Sequence, residues 1–145
     1  MIKLTRNKNL YNNNKQDTFY ERMIIFFFHL SFLLKIFKNI ETKNDLQNFF
    51  DYTIRQIELS IREVGYGDAT INKKMKDYIN ILFSIIDKID KWEDLDAASK
   101  TKIIKYFIED NSLIDNYVQY FEKYIQFLRK NTFNSLSKDI LSLEN

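Results

Sequence analysis

Met23-Ile24-Ile25-Phe26-Phe27-Phe28-His29-Leu30-Ser31-Phe32-Leu33-Leu34 is the stretch on which the reading of the fold turns. Only His29 and Ser31 interrupt its apolar character. A membrane-spanning helix needs roughly 20 apolar residues, and this run is much shorter. It also begins too far from Met1, behind an Asn- and Lys-rich stretch, to read as a signal peptide. The run therefore predicts a buried helix from Asp17 or Thr18 to about Asn39. Phe19, Met23, Phe26, Phe27, Leu30, Leu33, Leu34 and Phe37 cover more than one face of it, which places it at the centre of a helical bundle.

The flanking sequence supplies the helices that would surround it. From Thr42 to Val64, the residues Leu46, Phe49, Phe50, Ile54, Ile57, Ile61 and Val64 keep the three-and-four spacing of one helical face. Thr42 with Asp45 resembles a capping box at the start, and Gly65 stands where a left-handed residue ends a helix. A third helix is predicted from Asp68, with Asp68 and Thr70 as candidate caps, to about Trp92. Its apolar face is Ile71, Met75, Tyr78, Ile79, Leu82, Ile86 and Ile89. Glu93 to Ser99 reads as a turn. Two helices follow, Lys100 to Glu109 with Ile103, Ile104, Phe107 and Ile108, and Leu113 to Lys130 with Ile114, Tyr117, Val118, Phe121, Tyr124, Ile125 and Leu128. The expected fold is all-α, a single-domain bundle of five or six helices over residues 17–130. Residues 1–16, with Leu10 and Tyr11 as anchors, are a polar arm or short helix, and residues 131–145 a tail.

Composition agrees with this architecture. The 145 residues include no Pro and only two Gly, which favours long helices over turn-rich sheets. The absence of Cys removes disulfides, thiolate metal sites and cysteine nucleophiles together. Basic and acidic side chains, 22 and 20, are interspersed, unlike the one-sided excess of a general nucleic-acid binder.

Catalytic and cofactor chemistry finds no constellation. The single His29 lies in the most apolar segment and reads as a hydrogen-bonded core histidine. Ser31 lacks a nucleophile elbow, and neither glycine sits in a phosphate-loop context. The pairs Asp87 with Asp90 and Asp94 with Asp96 read as solvated acids. Tyr106, Tyr117, Tyr120 and Tyr124 have the spacing of core packing more than of a base-stacking platform. No enzyme, cofactor, metal or small-molecule substrate is expected.

Information concentrates instead in Arg62-Glu63-Val64-Gly65-Tyr66-Gly67-Asp68, which holds both glycines. A helix–helix corner accounts for them, with Gly65 ending one helix and Gly67 letting the backbone reverse before the next. The corner lifts Tyr66, and Lys73, Lys74 and Lys76 follow at once. Positive charge in the first turns of a helix opposes its macrodipole, so stability does not explain these lysines. An anionic partner would explain them, and so would a merely solvated basic face. A helical ribosome- or nucleic-acid-associated module using the Lys73–Lys76 stripe is the alternative reading.

This corner, followed by Ile71-Asn72-Lys73-Lys74-Met75-Lys76, resembles the signature of the ubiquinol–cytochrome c chaperone family. Asp17-Thr18 and the apolar helix containing His29-Leu30 are similar to the family's upstream pattern, as are Asp51 and the Arg62-Glu63 pair. The likeness covers roughly residues 10–90. Where the family often has Gly-Arg-Leu, this chain reads Phe83-Ser84-Ile85. The resemblance implies an assembly chaperone for the cytochrome bc complex, respiratory complex III, that binds newly made cytochrome b without catalysis. It implies Arg62, Glu63, Tyr66, Asp68, Lys73, Lys74 and Lys76 as partner-binding residues and Gly65 and Gly67 as the structural corner. A second assembly factor or the ribosome would be further partners. With no Arg/Ser-rich leader in view, the expectation is a bacterial member in the cytoplasm, with peripheral association at the inner-membrane face.

Overall fold

Helix α1 (Phe19–Phe37) is buried on nearly every side. In this computed structural model, residues 19–38, 43–108 and 114–131 are described. They form four further α-helices around α1: α2 (Lys43–Glu63), α3 (Asp68–Lys88), α4 (Ala97–Phe107) and α5 (Ile114–Lys130). The expected all-α bundle with an apolar central helix is what forms. The polar arm, the Asp17-Thr18 start, Thr42 and its capping box, Leu113 and the C-terminal tail lie outside the described residues.

The centre is aromatic. Phe28 meets Phe107 of α4 edge-on with ring centroids 5.8 Å apart, and Phe121 of α5 at 5.4 Å. Phe32 touches Phe121 at 5.3 Å and stands edge-on to Trp92 at 5.1 Å. Phe27 turns the other way, toward Tyr78 of α3. One helix thus contacts α3, α4 and α5, which is why its apolar residues do not confine themselves to a stripe. The outer helices need only one apolar face each. On α5 that face is Tyr117, Phe121, Tyr124, Ile125 and Leu128, all buried. On α2 it is Phe49, Thr53, Ile57 and Ile61, and the Thr53 hydroxyl is satisfied by donating to the Phe49 carbonyl at 2.9 Å.

Helix boundaries depart from the sequence expectation at two places, each for a local reason. Helix α3 ends at Lys88 rather than near Trp92, and Trp92 begins a 3-10 turn, Trp92–Asp94, that buries its ring completely. Helix α4 starts at Ala97, three residues early, because Asp96 caps it by accepting a hydrogen bond from the Ser99 amide at 2.8 Å. Hydrogen bonding from Ser99, its side chain first and then its amide, also holds the exposed Asp96 carboxyl below its usual pKa. Ion pairs between Lys100 and Glu122, and between Arg129 and Glu93, tie α5 to α4 and to the 3-10 turn.

His29 is fully buried with both ring nitrogens engaged, as expected of a core histidine. Nδ1 donates to the Ile25 carbonyl at 2.7 Å, which leaves Nε2 to accept from the Tyr120 hydroxyl, also at 2.7 Å. The Tyr124 hydroxyl donates to the His29 carbonyl at 3.2 Å. Tyr117, Tyr120 and Tyr124 therefore belong to the packed interior. Tyr106 does not: it is 69% exposed, with the Lys88 ammonium 4.4 Å from its ring centre.

Candidate functional site

The corner between α2 and α3 is built from a helix stop. The Val64 amide reaches back to the Ile61 carbonyl and the Gly65 amide to the Arg62 carbonyl, at 3.1 and 3.0 Å. Gly65 has φ +98°, a conformation that side-chain-bearing residues rarely adopt. Nothing lies within 4 Å of a Cβ added there, so the demand for glycine is conformational and not steric.

Gly67 plays a different part from the one expected. It caps α3 with φ −71° and ψ 161°, ordinary extended backbone open to any residue, and its surroundings are equally empty. Gly65→Val should therefore destabilise the fold by about 1–3 kcal/mol. Gly67→Ala should leave stability unchanged or raise it by up to about 1 kcal/mol through the unfolded chain. Urea unfolding of the two variants measures the contrast, and equal losses would remove the distinction.

Neither Asp68 nor Thr70 caps α3 through its side chain, because Gly67 is the cap residue and makes no such bond. The Asp68 carboxylate instead accepts from Arg62 at 3.0 Å, while the other arm of the same guanidinium binds Glu58 at 2.9 Å. Arg62 thus clamps the last turn of α2 to the first residue of α3. These groups are exposed, and pairs of this kind contribute little to stability. The two carboxylates hold the Arg62 guanidinium above its usual pKa, the Glu58 bond first.

Within that frame the remaining side chains separate into held and free. Lys74 places its ammonium 4.6 Å from the centre of the Tyr66 ring, which fixes the exposed tyrosine over the start of α3. Lys73 and Lys76 are exposed and enter no ion pair among the described residues. Glu63 is exposed as well. Val64, expected in the core, is 54% exposed. The helix ends at Glu63, so the α2 stripe no longer governs where Val64 points.

The predicted partner-binding residues run from the last turn of α2 through the corner and along the first half of α3, but not as equals. Arg62 and Asp68 brace the turn, Tyr66 and Lys74 hold each other, and Lys73 and Lys76 face solvent unpartnered. Phe83, read in the sequence only as a departure from the family pattern, joins this surface. Phe83 is 52% exposed and stacks on Phe50 of α2 at 6.1 Å. It falls on the same side of α3 as Lys73 and Lys76, by the spacing 73, 76, 80, 83.

A family model for the ubiquinol–cytochrome c chaperone matches residues 13–130. The chain belongs to that family. The match runs from before α1 to the end of α5, so the C-terminal helices are included along with the corner. No curated protein and no solved structure matches. In this ubiquinol–cytochrome c chaperone the corner joins a hydrogen-bonded backbone turn, a tyrosine paired with Lys74, and two lysines with no ion pair among the described residues. Among the described residues no cluster of His, Cys, Asp or Glu forms a metal site, and no helix is long and apolar enough to cross a membrane.

Proposed function

We propose that this family member captures newly made cytochrome b at the α2–α3 corner and holds it, without catalysis, during assembly of respiratory complex III. Membership of the ubiquinol–cytochrome c chaperone family supports a complex III assembly role. The free lysines at the corner are the observation that carries the rest. Lys73 and Lys76 are exposed and enter no ion pair among the described residues, not even with Asp77 four residues after Lys73. An acidic segment of a client would pair with them. Tyr66, held in place by Lys74, offers a flat amphipathic contact at little entropic cost.

A crosslinked pull-down of tagged protein from its native cells, probed for cytochrome b, tests the reading. Enrichment of cytochrome b over other inner-membrane proteins is expected. Lys73→Glu with Lys76→Glu should reduce that yield about tenfold or more, while helicity stays unchanged because both residues are exposed. Recovery of RNA or ribosomal proteins instead, with a steep loss of binding between low and moderate salt, would favour the nucleic-acid reading. Full capture by the double variant would remove the lysines from the interface.

A further inference from the structure

Helix α3 has a second basic side. Lys73 and Lys76 share the side of Phe83, whereas Lys74, Ile81 and Lys88 recur at a spacing of seven and follow another line of the helix, drifting about 20° at each step. A tyrosine meets an ammonium at each end of that line. The Lys74 ammonium is 4.6 Å from the centre of the Tyr66 ring, and the Lys88 ammonium is 4.4 Å from that of Tyr106 on α4. Between Lys74 and Lys88 the helical rise of 1.5 Å per residue amounts to about 21 Å. The two tyrosines therefore stand far apart on one side of the bundle, with half-buried Ile81 between them.

This side is positive. Helix α4 contains no acidic residue and exposes Lys102, one turn before Tyr106 on the same face, together with Lys105. Lys88, Lys102 and Lys105 enter no ion pair among the described residues. The exposed acid on the line is Asp77, three residues after Lys74, and Asp96 at the start of α4 is committed to the Ser99 amide. Tyr106 is 69% exposed, more than any other large apolar or aromatic side chain among the described residues.

Charge spread over two helices suits a broad anionic surface more than a point ligand. Tyrosine is enriched where a membrane meets water, because its ring is apolar and its hydroxyl polar. Lysine stems lie along apolar surface while their ammonium groups reach outward. We propose that this side of α3 and α4 docks on an anionic phospholipid bilayer, with Tyr66 and Tyr106 at headgroup depth and Lys74, Lys88 and Lys102 on the lipid phosphates. The contact is peripheral, and it does not depend on which client meets Lys73 and Lys76.

Flotation of the full chain with vesicles of phosphatidylcholine, alone or mixed with phosphatidylglycerol, tests the assignment at physiological salt, where charges beyond about 8 Å are largely screened. Binding to the mixed vesicles and little to the neutral ones is expected. Each lysine near such a surface raises affinity about fivefold, so Lys88→Glu with Lys102→Glu should weaken binding about twentyfold or more. Tyr106→Ser should weaken it several-fold. All three positions are exposed, so far-UV circular dichroism should not change. Lys73→Glu with Lys76→Glu should retain most of the vesicle binding, which separates this face from the client reading. An equal loss in the two double variants would make the attraction one of net charge and overturns the proposal. So does equal binding to neutral vesicles, or no binding to either. Capture of poly-glutamate through Lys88 and Lys102, without vesicle binding, would give the face to an acidic protein and overturns it as well.

Discussion

Acidification from neutral pH to about 4 should remove roughly 3 kcal/mol of stability through His29 alone. Burial is the main cause of the lowering of its pKa from 6.5 to about 3, and the hydrogen bond to the Ile25 carbonyl recovers only part of the shift. Between those two values the unfolded chain binds a proton that the folded chain refuses. The contribution of the neutral ring is therefore complete above pH 6.5 and is lost progressively as pH falls toward 3. The geometry explains the refusal: Nδ1–H is committed to Ile25, and Nε2 has its lone pair filled by the Tyr120 hydroxyl. Urea unfolding at a series of pH values, compared with His29→Gln, isolates the effect. A parallel slope in both proteins would mean that carboxylates, and not His29, carry the acid sensitivity.

Trp92→Ala should cost about 3–5 kcal/mol, the range for emptying a large buried aromatic site. Trp92 is completely buried, edge-on to Phe32, with the Lys100 ammonium 5.4 Å from its ring centre. Its removal opens a void where the 3-10 turn meets α1, and Phe32 then loses a partner that no neighbour replaces. Trp92→Phe separates volume from polarity. The indole N–H has no hydrogen-bond partner among the described residues, so the phenyl ring forfeits no such bond and should cost under about 1.5 kcal/mol. Far-UV circular dichroism during thermal unfolding is the suitable readout, since the chain has a single tryptophan and the variants lose its fluorescence. A loss for Trp92→Phe as large as that for Trp92→Ala would show that the N–H does make a bond in solution.

Helices announced by long periodic patterns were legible in the chain, and the central helix was legible because its pattern was missing: residues apolar on all sides leave no choice but the middle of the bundle. Short-range chemistry was harder to read. Asp96 caps α4 through Ser99, yet Asp94, Asp96 and the small residues after them looked like turn composition, so the helix was started too late. Asp68 looked like a cap because it precedes an amphipathic run, but Arg62, six residues back, competes for its carboxylate. Trp92 shows the opposite limit. A tryptophan beyond the end of a helical stripe could lie inside or outside, and only the path of the 3-10 turn decides. At the corner, the sequence named the residues in one group and could not sort them. Tyr66 with Lys74, and Arg62 with Asp68, are contacts across a turn whose angle depends on the φ of Gly65. Phe83 was read only as a departure from the family pattern, because an exposed aromatic off the apolar face of an amphipathic helix carries no periodic signal.

The bond from Tyr120 to His29 joins residues 91 positions apart, and it orders events during synthesis. Helix α1 leaves the ribosome before α2 to α5, and Phe28 and Phe32 meet Phe121 only once those helices have been translated. Until then the most water-averse segment of the chain has only part of its cover. A chain stalled or cut before α5 would expose that segment and aggregate, so this protein, whose family assists the making of others, itself has an interval in which it needs protection.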